Sequence, residues 1–241
     1  MRIAILSDIH GNLEALDTVL ADVAARRPGA IACLGDFVGY GASPNECIER
    51  LRPRIVCAVA GNHDLAACGR LQLRYFNSDA ASAARWTDAA LTAENRAYLE
   101  ALPYVERRAG ALLVHSSPAS PEDWNYVLSP YDAEYELSAF DEAVCFIGHS
   151  HYPGSYEAEE GRVRYTREPE IAMRDGCRYL VNVGSVGQPR DGDPNAAYLV
   201  YDVAARTLVH RRVPYDVAAA GARIRQAGLP PFLADRLQWG E

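Results

Sequence analysis

Five of the chain's six histidines stand in short polar clusters that each follow an apolar run. Asp8 and His10 follow Ile3-Ala4-Ile5-Leu6, and Asp36 follows Ala30–Leu34. Asn62, His63 and Asp64 come just after Val59, His115 closes Ala111–Val114, and His149 and His151 follow Ala143–Ile147. Carboxylate, amide oxygen and imidazole without thiolate suit Mn, Fe, Zn, Ni or Co better than a structural zinc cluster. Asp8, His10, Asp36, Asn62, His115, His149 and His151 supply more donors than one tetrahedral ion takes. Two divalent cations roughly 3.5–4 Å apart, bridged by a carboxylate, fit the set. Such a pair lowers the pKa of a shared water from about 15.7 towards ~7. The chemistry expected is hydrolysis by the resulting hydroxide, with the cations neutralising the developing charge.

A single histidine is most often an ordinary hydrogen-bonded side chain; the shared placement of five is what carries weight. That placement depends on the elements around them. Arg2–Ser7 reads as a strand. Asn12–Arg26 has helical spacing, with Leu13, Leu16, Val19, Leu20 and Val23 on one face and Asn12 as its cap. Ala30–Leu34 is a second strand, Pro44–Leu51 a short helix with Ser43 as cap and Pro44 at its first position, and Arg54–Val59 a third strand. Strands and helices alternating in this way predict parallel crossovers, whose carboxyl-end loops share one ligand-binding edge. Asp8 and Asp36 are 28 positions apart, and Asp36 and Asn62 are 26 apart. Each interval is close to one strand–helix–strand unit of ~30 residues, so the clusters converge. Gly11, Gly35, Gly61 and Gly148 border the same loops and permit tight backbone around a small ion.

Further on, Asp79–Leu102 is Ala-rich and helical up to Pro103, and Ala111–His115 and Ala143–Ile147 are strands. The last third changes character. Gly154–Ala158 and Arg162–Thr166 form a hairpin, and Arg178–Val183, Ala197–Asp202 and Thr207–Val213 are further strands. Helices are expected at Val217–Gln226 and Phe232–Leu237. No repeat or linker interrupts residues 1–241, which read as one α/β domain with a mixed sheet. His210 lies outside the clusters, as a surface or sheet histidine.

Of the 241 residues, 49% are apolar and 23% charged, within the ordinary globular range. The net charge of -8, with basic residues only in scattered pairs, argues against double-stranded nucleic acid as a partner. No apolar stretch reaches the ~18 residues of a membrane span, and the apolar start is too short for a secretory signal. A cytoplasmic location is expected. The six cysteines form no C-x-x-C pair and read as small buried hydrophobes.

Asp8-Ile9-His10, Gly35-Asp36, Gly61-Asn62-His63-Asp64, His115 and Gly148-His149-Ser150-His151 resemble, in order and spacing, the five motifs of the calcineurin-like metallophosphoesterases. Asn182-Val183-Gly184-Ser185-Val186-Gly187-Gln188-Pro189-Arg190 is also similar to small bacterial and archaeal members. The resemblance implies a four-layer α/β/β/α sandwich. It implies that Asp8, His10 and His151 hold one metal, that Asn62, His115 and His149 hold the other, and that Asp36 bridges them. His63 matches the histidine beside the leaving group, which binds no metal. The resemblance favours manganese and a small phosphodiester or phosphomonoester. Phosphoproteins, dinucleoside polyphosphates and a non-catalytic scaffold of the same fold are the alternatives. Serine/threonine protein phosphatases of this family continue the second motif with an aspartate and an arginine; here Gly39 and Tyr40 stand at those places. Asn12 and Arg190 are candidates for substrate oxygens, Asn12 also as a helix cap and Arg190 also as a surface ion-pair partner. Tyr40, Tyr126 and Tyr152 are candidates for stacking on a base or sugar. The oligomeric state is left open.

Overall fold

A computed structural model describes all 241 residues. In the first strand, β1 (Arg2–Leu6), successive side chains point to opposite faces. Ile3 and Ile5 go one way, and Ala4 and Leu6 the other. Both sets are buried, so this strand is covered on both sides. On the outer side Ala4 and Leu6 meet α1 (Leu13–Arg26) and α2 (Pro44–Leu51) through Leu16, Val19, Cys47 and Ile48. On the inner side Ile3 and Ile5 meet a second sheet through Ala111, Leu113, Val144, Phe146 and Val181.

The first sheet also contains β2 (Ala30–Cys33) and β3 (Cys57–Ala58), both parallel to the first strand. The second sheet begins with β4 (Val105–Arg108), β5 (Ala111–Val114) and β6 (Val144–Ile147). It continues through the hairpin β7 (Gly154–Glu159) and β8 (Arg162–Thr166). A short β9 (Glu170–Ala172) returns to the first sheet, β10 (Arg178–Asn182) enters the second, and β11 (Ala196–Asp202) and β12 (Thr207–Val213) complete the first. The orders are β3-β2-β1-β11-β12-β9 and β4-β5-β6-β10-β7-β8, and both sheets are mixed.

Helix α3 (Asn62–Ala67) starts directly after the third strand, and α4 (Ser78–Ala90) and α5 (Ala93–Glu100) follow. Against the outer face of the second sheet lies α6 (Pro130–Leu137), whose Ala133 and Leu137 pack on Val114, Cys145, Ile147 and Leu180. The chain ends in α7 (Val217–Gln226) and α8 (Pro231–Asp235). The layers run helices, sheet, sheet, helix: the expected four-layer sandwich.

The departures from the sequence reading have local causes. The expected strand 54–59 shrinks to Cys57–Ala58, its first residue taken by the 3-10 turn Arg52-Pro53-Arg54. The expected helix 79–102 is two helices, since Leu91 turns extended and the Thr92 hydroxyl accepts the Asn95 N–H as a new cap. Ser43 makes no side-chain capping bond, whereas Asn12 does, accepting from Ala15. Asn62, His63 and Asp64 are the first turn of a helix rather than a loop. The cysteines are all free, and five of the six are buried. No helix is long and apolar enough to cross a membrane.

Candidate metal centre

The loops after the first two strands are stitched together by backbone. Asp8 N–H donates to Gly35 O, His10 N–H to Asp36 O and Gly11 N–H to Phe37 O, at 3.1, 2.9 and 3.0 Å. The stitching requires tight turns. Asp8, His10, Asp36, His149 and His151 all have left-handed backbone, with φ of 53, 50, 52, 65 and 64°. Such conformations cost of order 1–3 kcal/mol each for non-glycine residues and collect at functional sites. Glycine serves here by close approach: a Cβ on Gly61 would collide with the Asp36 carboxylate, and one on Gly148 with Ser7 and Asp8.

Two triads of donor atoms result. In each, the atoms lie within 4.8 Å of one another and every residue is buried: Asp8, His10 and His151, then Asp36, His115 and His149. Each carboxylate spends one oxygen on a backbone N–H. Asp8 Oδ2 accepts from His149 at 3.0 Å, and Asp36 Oδ1 accepts from His63 at 2.8 Å. Asp8 Oδ1 is left buried with no hydrogen-bond partner. Asp36 Oδ2 lies 3.6 Å from His10 Nε2 and 3.3 Å from His115 Nε2, between the triads.

The imidazoles are oriented in the same manner. His10, His115 and His151 donate from Nδ1 to the carbonyls of Val38, Leu34 and Gln188, at 3.0, 2.7 and 2.5 Å. Their Nε2 lone pairs therefore face inward. His149 is reversed: its Nε2 donates to Trp124 O at 2.9 Å, which leaves Nδ1 facing in. The inward nitrogens of His10 and His151 stand only 3.1 Å apart, lone pair against lone pair. Asp8 Oδ1 is 3.1 Å from the same His151 nitrogen. His115 Nε2 and Asn62 Oδ1 are likewise buried without a partner in the chain. Buried polar atoms left unpaired are costly, and here they converge. A divalent cation in each triad would satisfy the triad atoms, so the donor set fits two metal ions.

Charge follows burial. Burial pushes His10 and His151 down, and the nearby aspartates only partly oppose it. Burial, reinforced by His115, takes His149 to about 3. His115 feels the same penalty but sits against Asp36, which lifts it to about 9; a dication bound there would take the place of that proton. Asp36 is raised by burial, but His115 and His63 outweigh this and hold it well below the usual carboxylate range.

His63 faces a cleft beside the second triad. Its ring packs against Tyr40, His10 and Phe76, with centroids 4.4, 5.0 and 5.1 Å away, and burial takes it to about 4. No carboxylate pairs with the ring, in line with the glycine and tyrosine that end the second motif. Arg190 is partly buried, donates to Gln188 Oε1 at 2.9 Å and lies over the Tyr40 ring. The Asn12 amide is spent within the chain, on the Gly187 carbonyl at 2.8 Å and Tyr215 at 3.3 Å. Tyr40 and Tyr126 line the cleft; Tyr152 does not.

Sequence reasoning passed over the parts that make the centre rigid. Asp64 accepts three backbone N–H groups, from Asp36, Gly61 and Val38, and so locks the second motif to the third. Asn182 donates to Gly148 O and Ser150 Oγ, supporting the His149–His151 loop. Glu136 accepts from Ser117 Oγ and Ala119 N–H, buckling the loop that carries Trp124 and Tyr126. Their places inside motifs hinted at the first two. Nothing in the sequence marked Glu136.

Comparison with known proteins agrees with this geometry. The pattern of the calcineurin-like phosphoesterase superfamily domain matches residues 1–206. Over 243 residues, 99% of this chain and 98% of the relative, the sequence is 40% identical to the uncharacterized protein MJ0912 of Methanocaldococcus jannaschii. The crystal structure of a metallophosphoesterase from Sphaerobacter thermophilus aligns with a TM-score of 0.89 at 40% identity, covering 100% of this chain and 99% of that one. The crystal structure of hypothetical protein PH1004 from Pyrococcus horikoshii OT3 aligns with a TM-score of 0.81 at 21% identity, covering 100% and 98%, a likeness of fold. With its sandwich, its paired donor triads and this match over most of its length, the chain belongs to the calcineurin-like phosphoesterase superfamily.

Proposed function

We propose that this protein is a dinuclear metal-dependent hydrolase of small phosphate esters, phosphodiesters first. The observation that carries the reading is the convergence of Asp8 Oδ1 and His115 Nε2, both buried and unpaired, with the opposed nitrogens of His10 and His151. Two divalent cations, manganese first among Mn, Fe, Zn, Ni and Co, supply the charge that ionises water and neutralises phosphoryl oxygens. Asp8, His10 and His151 hold one; Asn62, His115 and His149 hold the other; the position of Asp36 Oδ2 suits a bridge between them.

The remaining residues act on the substrate. Arg190, fixed by Gln188, is assigned to grip a phosphoryl oxygen. His63, in which burial outweighs the pull of Asp36, hydrogen-bonds the reacting group as a neutral imidazole. Asn12, whose amide is occupied, is assigned the cap and no substrate contact. Burial of every triad residue keeps bulk water away from these groups, which strengthens each charge–charge contact.

The test is turnover of bis-p-nitrophenyl phosphate by chelator-treated protein, before and after addition of Mn²⁺ or Ni²⁺. A metal-dependent rate is expected. Two bound metals with no rate on any phosphoester would identify a scaffold instead.

A further inference from the structure

A cleft of about 520 Å³ opens directly onto Asn62, His63 and His149. That is the size of pocket that encloses a small organic ligand. Its walls come from two segments that the fold brings together. Tyr75 and Phe76 belong to the turn before the fourth helix, and Trp124 and Tyr126 to the loop after the fifth strand; Tyr40 lies at the inner end. Tyr126 is itself stacked on His149, with centroids 4.2 Å apart and planes 18° apart. The aromatic wall therefore starts at the metal centre.

The polar lining is as selective as the apolar one. Besides the centre's own Asn62, His63 and His149, it offers the amides of Gln72 and Asn77 and the carboxylates of Glu122 and Asp123. It contains no lysine or arginine. A second phosphate would need a cation there and would instead meet two carboxylates. Five of the lining residues are aromatic, and of these Tyr75 is 76% exposed, with ring surface left to cover a ligand. The complement of this lining is a flat, uncharged ring with a π face for the aromatics and N–H donors on its edge for the carboxylates. A nucleobase has both. Trp124 offers the cleft its ring rather than its indole N–H, which is buried. Trp124 is also held in left-handed backbone, φ 58°, which marks its orientation as imposed by the surrounding loop.

Resting on the hydrolytic reading above, we infer that the aromatic cleft selects phosphodiesters in which one alcohol is a nucleoside. Polyphosphorylated and phosphopeptide substrates are disfavoured by its acidic lining. Stacking on aromatic side chains is worth about a 5- to 150-fold change per base. The preference should fall in that range.

The experiment has two arms. In the first, kcat/KM is compared for three methyl phosphodiesters that differ only in the other alcohol: cytidine, glycerol or choline. The cytidine ester should lead the glycerol ester by about 10- to 100-fold. Trp124→Leu and Tyr75→Ala should each erode the lead while metal content stays unchanged. Tyr75 is 76% exposed, so its loss leaves the core intact. In the second arm, cytidine alone is titrated against tryptophan fluorescence. Quenching should disappear in Trp124→Phe and persist in Trp86→Phe. Equal rates for the cytidine and glycerol esters, or no quench, would overturn the assignment. A faster choline ester would overturn it too, giving the cleft to a quaternary ammonium group. If no ester is hydrolysed but cytidine still quenches Trp124, the cleft stands and the hydrolytic reading falls.

Discussion

The Asp64 carboxylate accepts the backbone N–H of Asp36 at 2.8 Å, across a sequence gap of 28 residues. The same oxygen takes the Gly61 N–H at 3.1 Å, and its partner oxygen the Val38 N–H at 3.3 Å. Burial and the nearby Asp36 charge push Asp64 up, and two of these N–H bonds pull it back. Asp64→Ala removes an acceptor from three buried donors, each worth about 1–3 kcal/mol if orphaned. We expect at least about 2 kcal/mol of lost stability in urea unfolding. Because Asp36 is no longer fixed, metal affinity should also fall by roughly 10- to 100-fold. Unchanged metal content in a variant of unchanged stability would show that the lock is dispensable.

This relationship also marks where sequence reading stops. The edge that gathers Asp8, Asp36, Asn62, His115, His149 and His151 was legible because apolar runs alternate with helical segments, setting Asp8, Asp36 and Asn62 28 and 26 positions apart, close to one strand–helix–strand unit. Residue types then gave the metal chemistry. Contacts between motifs are not periodic. Asp64 reads as one more acid after a strand until it is seen holding Asp36. The Trp124 loop was opaque for the same reason: its shape depends on Glu136, 17 residues past Ala119 and on another element. The Thr92 break was missed because alanine-rich flanks on both sides favour helix and hid the cap.

Asp36→Asn tests the bridge. The amide keeps one oxygen but loses the charge that faces both His10 and His115. We expect no measurable turnover and at most one metal per chain by elemental analysis. Two metals and full turnover in this variant would contradict a bridging role.

His63→Gln separates two roles for the cleft histidine. A general acid gives its proton most usefully to a poor leaving group, so its loss slows poor leaving groups most. The His63 ring is enclosed by Tyr40, Phe76 and His10, and burial outweighs the pull of Asp36 on its proton. A neutral hydrogen-bonding role follows. The variant should retain its metals and slow good and poor leaving groups alike, by roughly 10²-fold. Slowing that grows with leaving-group pKa would restore the general acid.

His210 offers a test of stability away from the metal centre. Its Nε2 donates to Asn182 O at 2.9 Å, joining the first sheet to the strand that supports the His149–His151 loop. Burial lowers its pKa, the bond to Asn182 opposes this, and Arg212 adds to the lowering. The folded pKa thus lies below the unfolded value of about 6.5. Above that value the imidazole is neutral in both states and nothing is lost. As pH falls below it, the unfolded chain takes up the proton first, and stability declines until the folded pKa is passed. The decline from this one group cannot exceed about 1.4 kcal/mol per pH unit. Glutamine can offer a similar N–H and does not titrate. In metal-free protein, the urea midpoint of the parent should therefore fall relative to His210→Gln between pH 7.5 and pH 5. A parent that gains on the variant as the pH drops would mean that the folded state prefers the charged ring, reversing the sign assigned to its burial.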